Sequence, residues 1–130
     1  MTSVNGGSPV GPGFVVYERA PGQSGYDLEM ALASVGAGWG PLVRSVFSLA
    51  LLTEPAPVVV QVKEKWGALR VYYDGGDARF EAFVDAMELA STRICETCGA
   101  RGRPRRRSWD LTLCDACDAE RHPAPAREAT

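Results

Sequence analysis

Four cysteines constrain this chain more than any other feature. Cys95 and Cys98 form one C-x2-C pair, fifteen residues follow, and Cys114 and Cys117 form a second. Two residues between paired cysteines let one tight turn aim both sulfurs at a single point, and two such turns supply the four thiolates of a closed tetrahedral zinc site. Disulfides fit the same residues less well, because the polar, Gly/Pro-rich opening from Met1 to Gly13 does not read as a secretory signal and a reducing interior keeps thiols free. A thioredoxin-like redox pair would need its own strand-to-helix setting and would leave the second C-x2-C unexplained. One structural zinc ion on Cys95, Cys98, Cys114 and Cys117 is therefore expected.

The stretch from Cys95 to His122 offers few large apolar side chains, chiefly Trp109, Leu111 and Leu113. Burial alone cannot order so small a segment. Zinc binding worth on the order of 10–16 kcal/mol in small finger peptides can offset the ordering entropy. The glycine of C-E-T-C-G stands where such a turn needs an unusual backbone angle. L-C-D-A-C runs into Asp118-Ala119-Glu120-Arg121, which places Cys114 at the opening of a helix. His122 is the only histidine; four thiolates already complete the shell, so it is expected at the surface near a helix end. A closed shell leaves no coordination position for an activated water, and neither a nucleophile elbow nor H-E-x-x-H is present. Neither enzymatic activity nor a small-molecule substrate is expected.

A C-x2-C turn, a basic hairpin, then W-x3-L-C-x2-C entering a helix resembles a treble-clef finger, and Trp109 to Cys117 (WDLTLCDAC) is similar to the closing part of GATA-type fingers. The resemblance implies an architecture rather than one function, since treble clefs serve both nucleic-acid and protein binding. Over most of its length the chain is also similar to uncharacterised small proteins of phages and high-G+C bacteria. That likeness is carried by Gly38-Trp39-Gly40-Pro41-Leu42, by Gln61 to Arg70 (QVKEKWGALR) and by C-E-T-C-G. It implies organisation and zinc, not an activity.

Ahead of the cysteines the pattern is mixed α+β. Tyr26 to Val35 predicts a short helix ending at Gly36-Ala37-Gly38. Pro41 opens a second helix whose apolar residues Leu42, Val43, Val46, Phe47, Leu49, Ala50 and Leu51 go so far round its circumference that it is expected to be largely buried. Strands are predicted at Val58–Lys63 and Leu69–Tyr73, joined by the linker Glu64 to Ala68. Asp74-Gly75-Gly76-Asp77 lacks the lysine of a phosphate loop and the further ligands of a calcium loop, so it reads as a turn in which Asp77 caps a helix over 78–94. The organisation expected is a disordered lead over 1–13, a helix–helix–β-hairpin–helix module over 14–94, a four-cysteine zinc finger over 95–122 and a disordered tail over 123–130.

Charge is unevenly placed. Residues 1–100 carry seven basic and eleven acidic side chains, net −4, and residues 101–130 carry seven and five, net +2. Arg101, Arg103, Arg105, Arg106 and Arg107 put five guanidiniums on the expected finger hairpin, a run suited to phosphate contacts with DNA or RNA. Asp110, Asp115 and Asp118 partly offset it, and four thiolates around one Zn²⁺ would add about two negative charges. Lys63, Lys65 and Trp66 set a large aromatic among charges at a hairpin tip. Trp66 is expected first to fold back and cover the sheet; exposed instead, it would suit a partner-binding anchor or a stacking platform. Trp39, between glycines, is expected to seal an edge of the core. The leading expectation is a nucleic-acid-associated factor, with a protein adaptor of the immunity or antitoxin kind as the alternative. No apolar run approaches the roughly 18 residues of a membrane span, so a cytoplasmic, membrane-free protein is expected.

Overall fold

The computed structural model describes residues 25–122; the expected lead over 1–13, the start of the 14–94 module and the tail over 123–130 lie outside them. The elements run α1 (Leu28–Ala33), a 3-10 turn (Ala37–Trp39), α2 (Gly40–Leu52), β1 (Val58–Lys65), β2 (Ala68–Asp74), α3 (Ala78–Ser91), β3 (Arg103–Arg105), β4 (Leu111–Leu113) and α4 (Asp115–Arg121). The strands form two separate antiparallel pairs, β1 with β2 and β3 with β4. The fold is thus mixed helix and sheet, as the sequence pattern predicts. Among the described residues no helix is long and apolar enough to cross a membrane.

Local chemistry sets the helix ends. Asp27 caps α1 by accepting the Met30 N–H at 2.8 Å, and Asp77 caps α3 by accepting the Phe80 N–H at 2.8 Å. Helix α1 is shorter than the predicted Tyr26–Val35, and α3 stops at Ser91 rather than 94. On α2, Leu42, Val43, Val46, Phe47 and Ala50 form one buried stripe. The expectation of a largely buried α2 needs correction: Leu51 and Leu52 are exposed, because each residue turns about 100° around the axis and these two fall off the stripe. With Leu28, Trp39, Val59, Val62, Leu69, Val71, Phe80 and Val84, that stripe makes the main core. Each such large side chain contributes roughly 1.5–3 kcal/mol by leaving water.

The hairpin also differs from its predicted form. Strands β1 and β2 are longer, and the supposed five-residue linker is a two-residue turn at Trp66-Gly67, with Lys65 paired to Ala68. Both turn residues have positive φ (52° and 81°), the combination that matches the right-handed twist of paired strands. Glu64 steadies the turn by accepting the Gly67 N–H at 2.6 Å. The register shifts between Val59 and Gln61, and this bulge is why the inward valines, Val59 and Val62, are three apart instead of two.

The cysteine segment is laced to this module backbone to backbone. Gly38 N–H donates to Glu96 O at 2.9 Å and Gly102 N–H to Arg93 O at 2.8 Å; within the segment Glu96 N–H donates to Thr112 O at 3.0 Å, and just ahead of it the Trp39 indole N–H donates to Ile94 O at 2.8 Å. Thr112 Oγ1 reaches Gly67 O at 2.5 Å, which ties β4 to the turn of the first hairpin. Trp39 is fully buried, as expected of a residue sealing a core edge. The close approach depends on glycine: a Cβ on Gly38 would lie 2.0 Å from Cys95 O, and one on Gly36 would lie 2.1 Å from Glu96 O. Both contacts are with backbone, which cannot swing aside. Gly38→Ala is therefore expected to cost more than about 3 kcal/mol in denaturant unfolding; an unchanged midpoint would show that the two segments are not packed this way.

Candidate metal centre and basic face

Two turns bring the cysteines together. After Cys95 the chain folds so that Gly99 N–H donates to Cys95 O at 2.9 Å, with Gly99 at φ +85°, the unusual angle expected after the second cysteine. Cys95 N–H is taken by Ala100 O at 2.7 Å. The second pair opens α4: Cys114 is its N-cap, and its sulfur accepts the Cys117 N–H at 3.3 Å. The four sulfurs lie within 4.8 Å of one another, and Cys98 Sγ and Cys114 Sγ are 3.7 Å apart. Sulfurs sharing one tetrahedral ion through bonds of about 2.3 Å stand about 3.8 Å apart. The donor set thus fits one four-coordinate metal ion.

The electrostatics of the cluster are lopsided in a way that favours a cation. Burial pushes the Cys95 thiol up, but hydrogen bonds from the backbone of Cys114, Cys98 and Thr97 and from the Cys117 side chain bring it down to about 6. Cys117 goes the other way, pushed up to about 12 by its hydrogen bond with Cys114, by burial and by the other sulfurs. One thiolate is stabilised by protein dipoles while its neighbours resist adding like charge. A bound cation removes that conflict. Beside the sulfurs, Leu111 and Leu113 of β4 pack on buried Cys95. Buried Glu96 accepts the Thr112 N–H at 3.0 Å, and desolvation raises its pKa. Trp109, counted among the apolar residues of this segment on sequence, stands apart: on the bend before β4 it is 68 % exposed.

The arginine run is divided. Arg105 is buried; its Nε and Nη2 donate to Leu113 O at 3.1 and 3.0 Å, Nη2 donates to Asp115 Oδ1 at 2.8 Å, and Nη1 is 3.5 Å from Asp118 Oδ2. Arg107 forks onto Asp118 at 3.2 and 2.6 Å. His122 Nδ1 also lies 3.3 Å from Asp118 Oδ1, so the single histidine, exposed at the end of α4, faces a carboxylate and not the sulfur cluster. The Arg107 fork, opposed by burial, holds the Asp118 carboxyl below the usual range, and the Arg105 hydrogen bond does the same for Asp115. Arg101, Arg103 and Arg106 stay exposed.

Sequence reasoning missed Arg93. The bridge between Ile94 and Arg101 and the bond from Gly102 N–H to Arg93 O, 2.8 Å, lay this exposed residue beside the run. Arg93, Arg101, Arg103 and Arg105 line one open groove of about 610 Å³ with Asp115 and Cys114. A signal was present in the short spacing between Arg93 and Cys95, but only the pairing of residues 94 and 101 gives it meaning. A second groove is lined by Lys63, Lys65 and Trp66 together with Glu64, Ser108, Trp109 and Asp110. The first expectation for Trp66 needs correction: it is 75 % exposed and does not fold back onto the sheet, because it sits in the two-residue turn beyond the last paired residues, Lys65 and Ala68.

No family model, curated protein or solved structure matches this chain. The division of the arginines has a measurable consequence. Arg105→Ala strips bonds from Leu113 O and two carboxylates, so its thermal midpoint is expected to fall by several degrees, while Arg103→Ala, which gives up a loose 3.9 Å ion pair, is expected to leave it within about one degree. Equal midpoints for the two variants would contradict the assignment.

Proposed function

We propose that this chain is a zinc-stabilised, non-enzymatic binding protein that contacts nucleic acid through the groove between Arg93 and Arg103. Zinc is the natural occupant of four thiolates presented by two C-x2-C turns. The turn, the short hairpin and the helix opened by Cys114 support the treble-clef resemblance of the segment. The observation carrying the nucleic-acid reading is the convergence of three exposed guanidiniums, from Arg93, Arg101 and Arg103, on a single groove. Guanidiniums fork onto phosphate oxygens with matched geometry, and such contacts position a backbone without reading sequence. Arg105, although it lines the groove, spends its donors inside the protein and acts as the strut beneath the other three.

A protein partner anchored on Trp66 is the second reading, favoured by the exposure of that indole. Salt separates the two. Three phosphate contacts correspond to a slope of about −2.7 in log affinity against log salt on duplex DNA, a loss of roughly 40-fold from about 50 to 200 mM. The zinc-loaded protein is expected to follow that slope in fluorescence anisotropy, and Arg93→Ala, Arg101→Ala and Arg103→Ala together to flatten it. No retention of DNA or RNA at low salt would remove the nucleic-acid reading and leave the protein partner.

A further inference from the structure

We infer that the second groove is a stacking site for unpaired bases, so that the nucleic acid bound is single-stranded. This rests on the nucleic-acid reading above and extends it from phosphates to bases. Trp66, at the tip of the β1–β2 hairpin, and Trp109, on the bend before β4, come from distant parts of the chain yet line one groove of about 450 Å³. Their indoles are 75 % and 68 % exposed, whereas Trp39 is fully buried. Leaving two large aromatic faces in water costs apolar hydration, and nothing in the hairpin demands it: a two-residue turn needs positive φ, not an indole. Base stacking is sequence-tolerant and uses such faces.

The walls of the groove favour bases over a protein surface. An anchor pocket at a protein interface is apolar at its centre and keeps charge at the rim. Here Lys63 and Lys65 stand in the lining with the indoles, and Lys65 Nζ is 4.9 Å from the Trp66 ring centroid. Glu64 and Asp110 share the lining and balance the two lysines in formal charge, with Glu64 drawn onto the turn by the Gly67 N–H. The two ammoniums are thus placed to meet phosphates between stacked bases. Continuity with the arginine groove points the same way. Arg105 lines one groove and Ser108 the other, and three residues span at most about 11 Å of chain. Exposed Arg106 lies on that bridge. The two linings thus come within reach of one short strand, whereas the paired bases of a duplex are closed to stacking.

The test uses the zinc-loaded full chain with a short oligothymidine, an oligouridine and a duplex of equal length. Tryptophan emission reports contact, because only Trp66 and Trp109 of the three indoles are exposed. Both single strands are expected to quench it. Trp66→Ala and Trp109→Ala are each expected to weaken single-strand binding roughly tenfold, with duplex binding and the thermal midpoint unchanged. Trp66→Phe and Trp109→Phe, which keep a ring, are expected to recover part of the loss. Binding of all three probes without quenching, and with wild-type affinity in the alanine variants, would overturn the stacking site and leave the arginine groove standing. Failure of every probe to bind at low salt would overturn both and leave the tryptophan groove to a protein.

Discussion

Four sulfurs held within 4.8 Å of one another draw together the two ends of the segment that helps line both grooves. The turn carrying Cys95 and Cys98 presents its backbone to Gly36 and Gly38, and the strand leading to Cys114 presents Thr112 to Gly67. The small β3–β4 pair hangs between these attachments, with Leu111 and Leu113 packed on Cys95. So few apolar side chains cannot order it by burial, and the clustered thiols cannot share charge without a cation. The cluster could hold one metal ion, and under the zinc-stabilised reading proposed above, metal binding and folding of this segment would be one equilibrium.

The arginines show how local carboxylates decide what a charge does. Arg105 faces Asp115 and Asp118 on the first turn of α4 and becomes an internal strut, and Arg107, itself exposed, is committed to Asp118; Arg101 and Arg103 project outward, and Arg93 joins them from across the strand-like bridge. A count of basic residues treats all five of the run alike. Their partners divide them into framework and surface, and the framework holds the surface guanidiniums at the edge of one groove.

Much of this was legible in the sequence, for identifiable reasons. C-x2-C spacing and the cap at Asp77 act within a few residues, so local pattern reveals them. The strands and the amphipathic face of α3 follow from periodicity. What stayed hidden depends on distant partners. Nothing near Trp66 says that it faces outward, and nothing near Arg93 says that residue 101 will pair with its neighbour. The glycines of Gly36-Ala37-Gly38 look like a helix stop, and their closer purpose, letting the Cys95 turn touch the module, needs both segments in view. The bulge after Val59 broke the alternation that would have placed β1's inward face.

The most direct measurement is stepwise addition of Zn²⁺ to protein stripped of metal under reducing conditions, followed by the amide spectrum of residues 95–122. Stripping is expected to collapse the dispersion of Thr112 and Leu113, and one equivalent of zinc is expected to restore it completely, with no further change beyond that point. A well-dispersed spectrum without metal, or sulfurs recovered as disulfides from freshly isolated protein, would contradict a metal-organised segment.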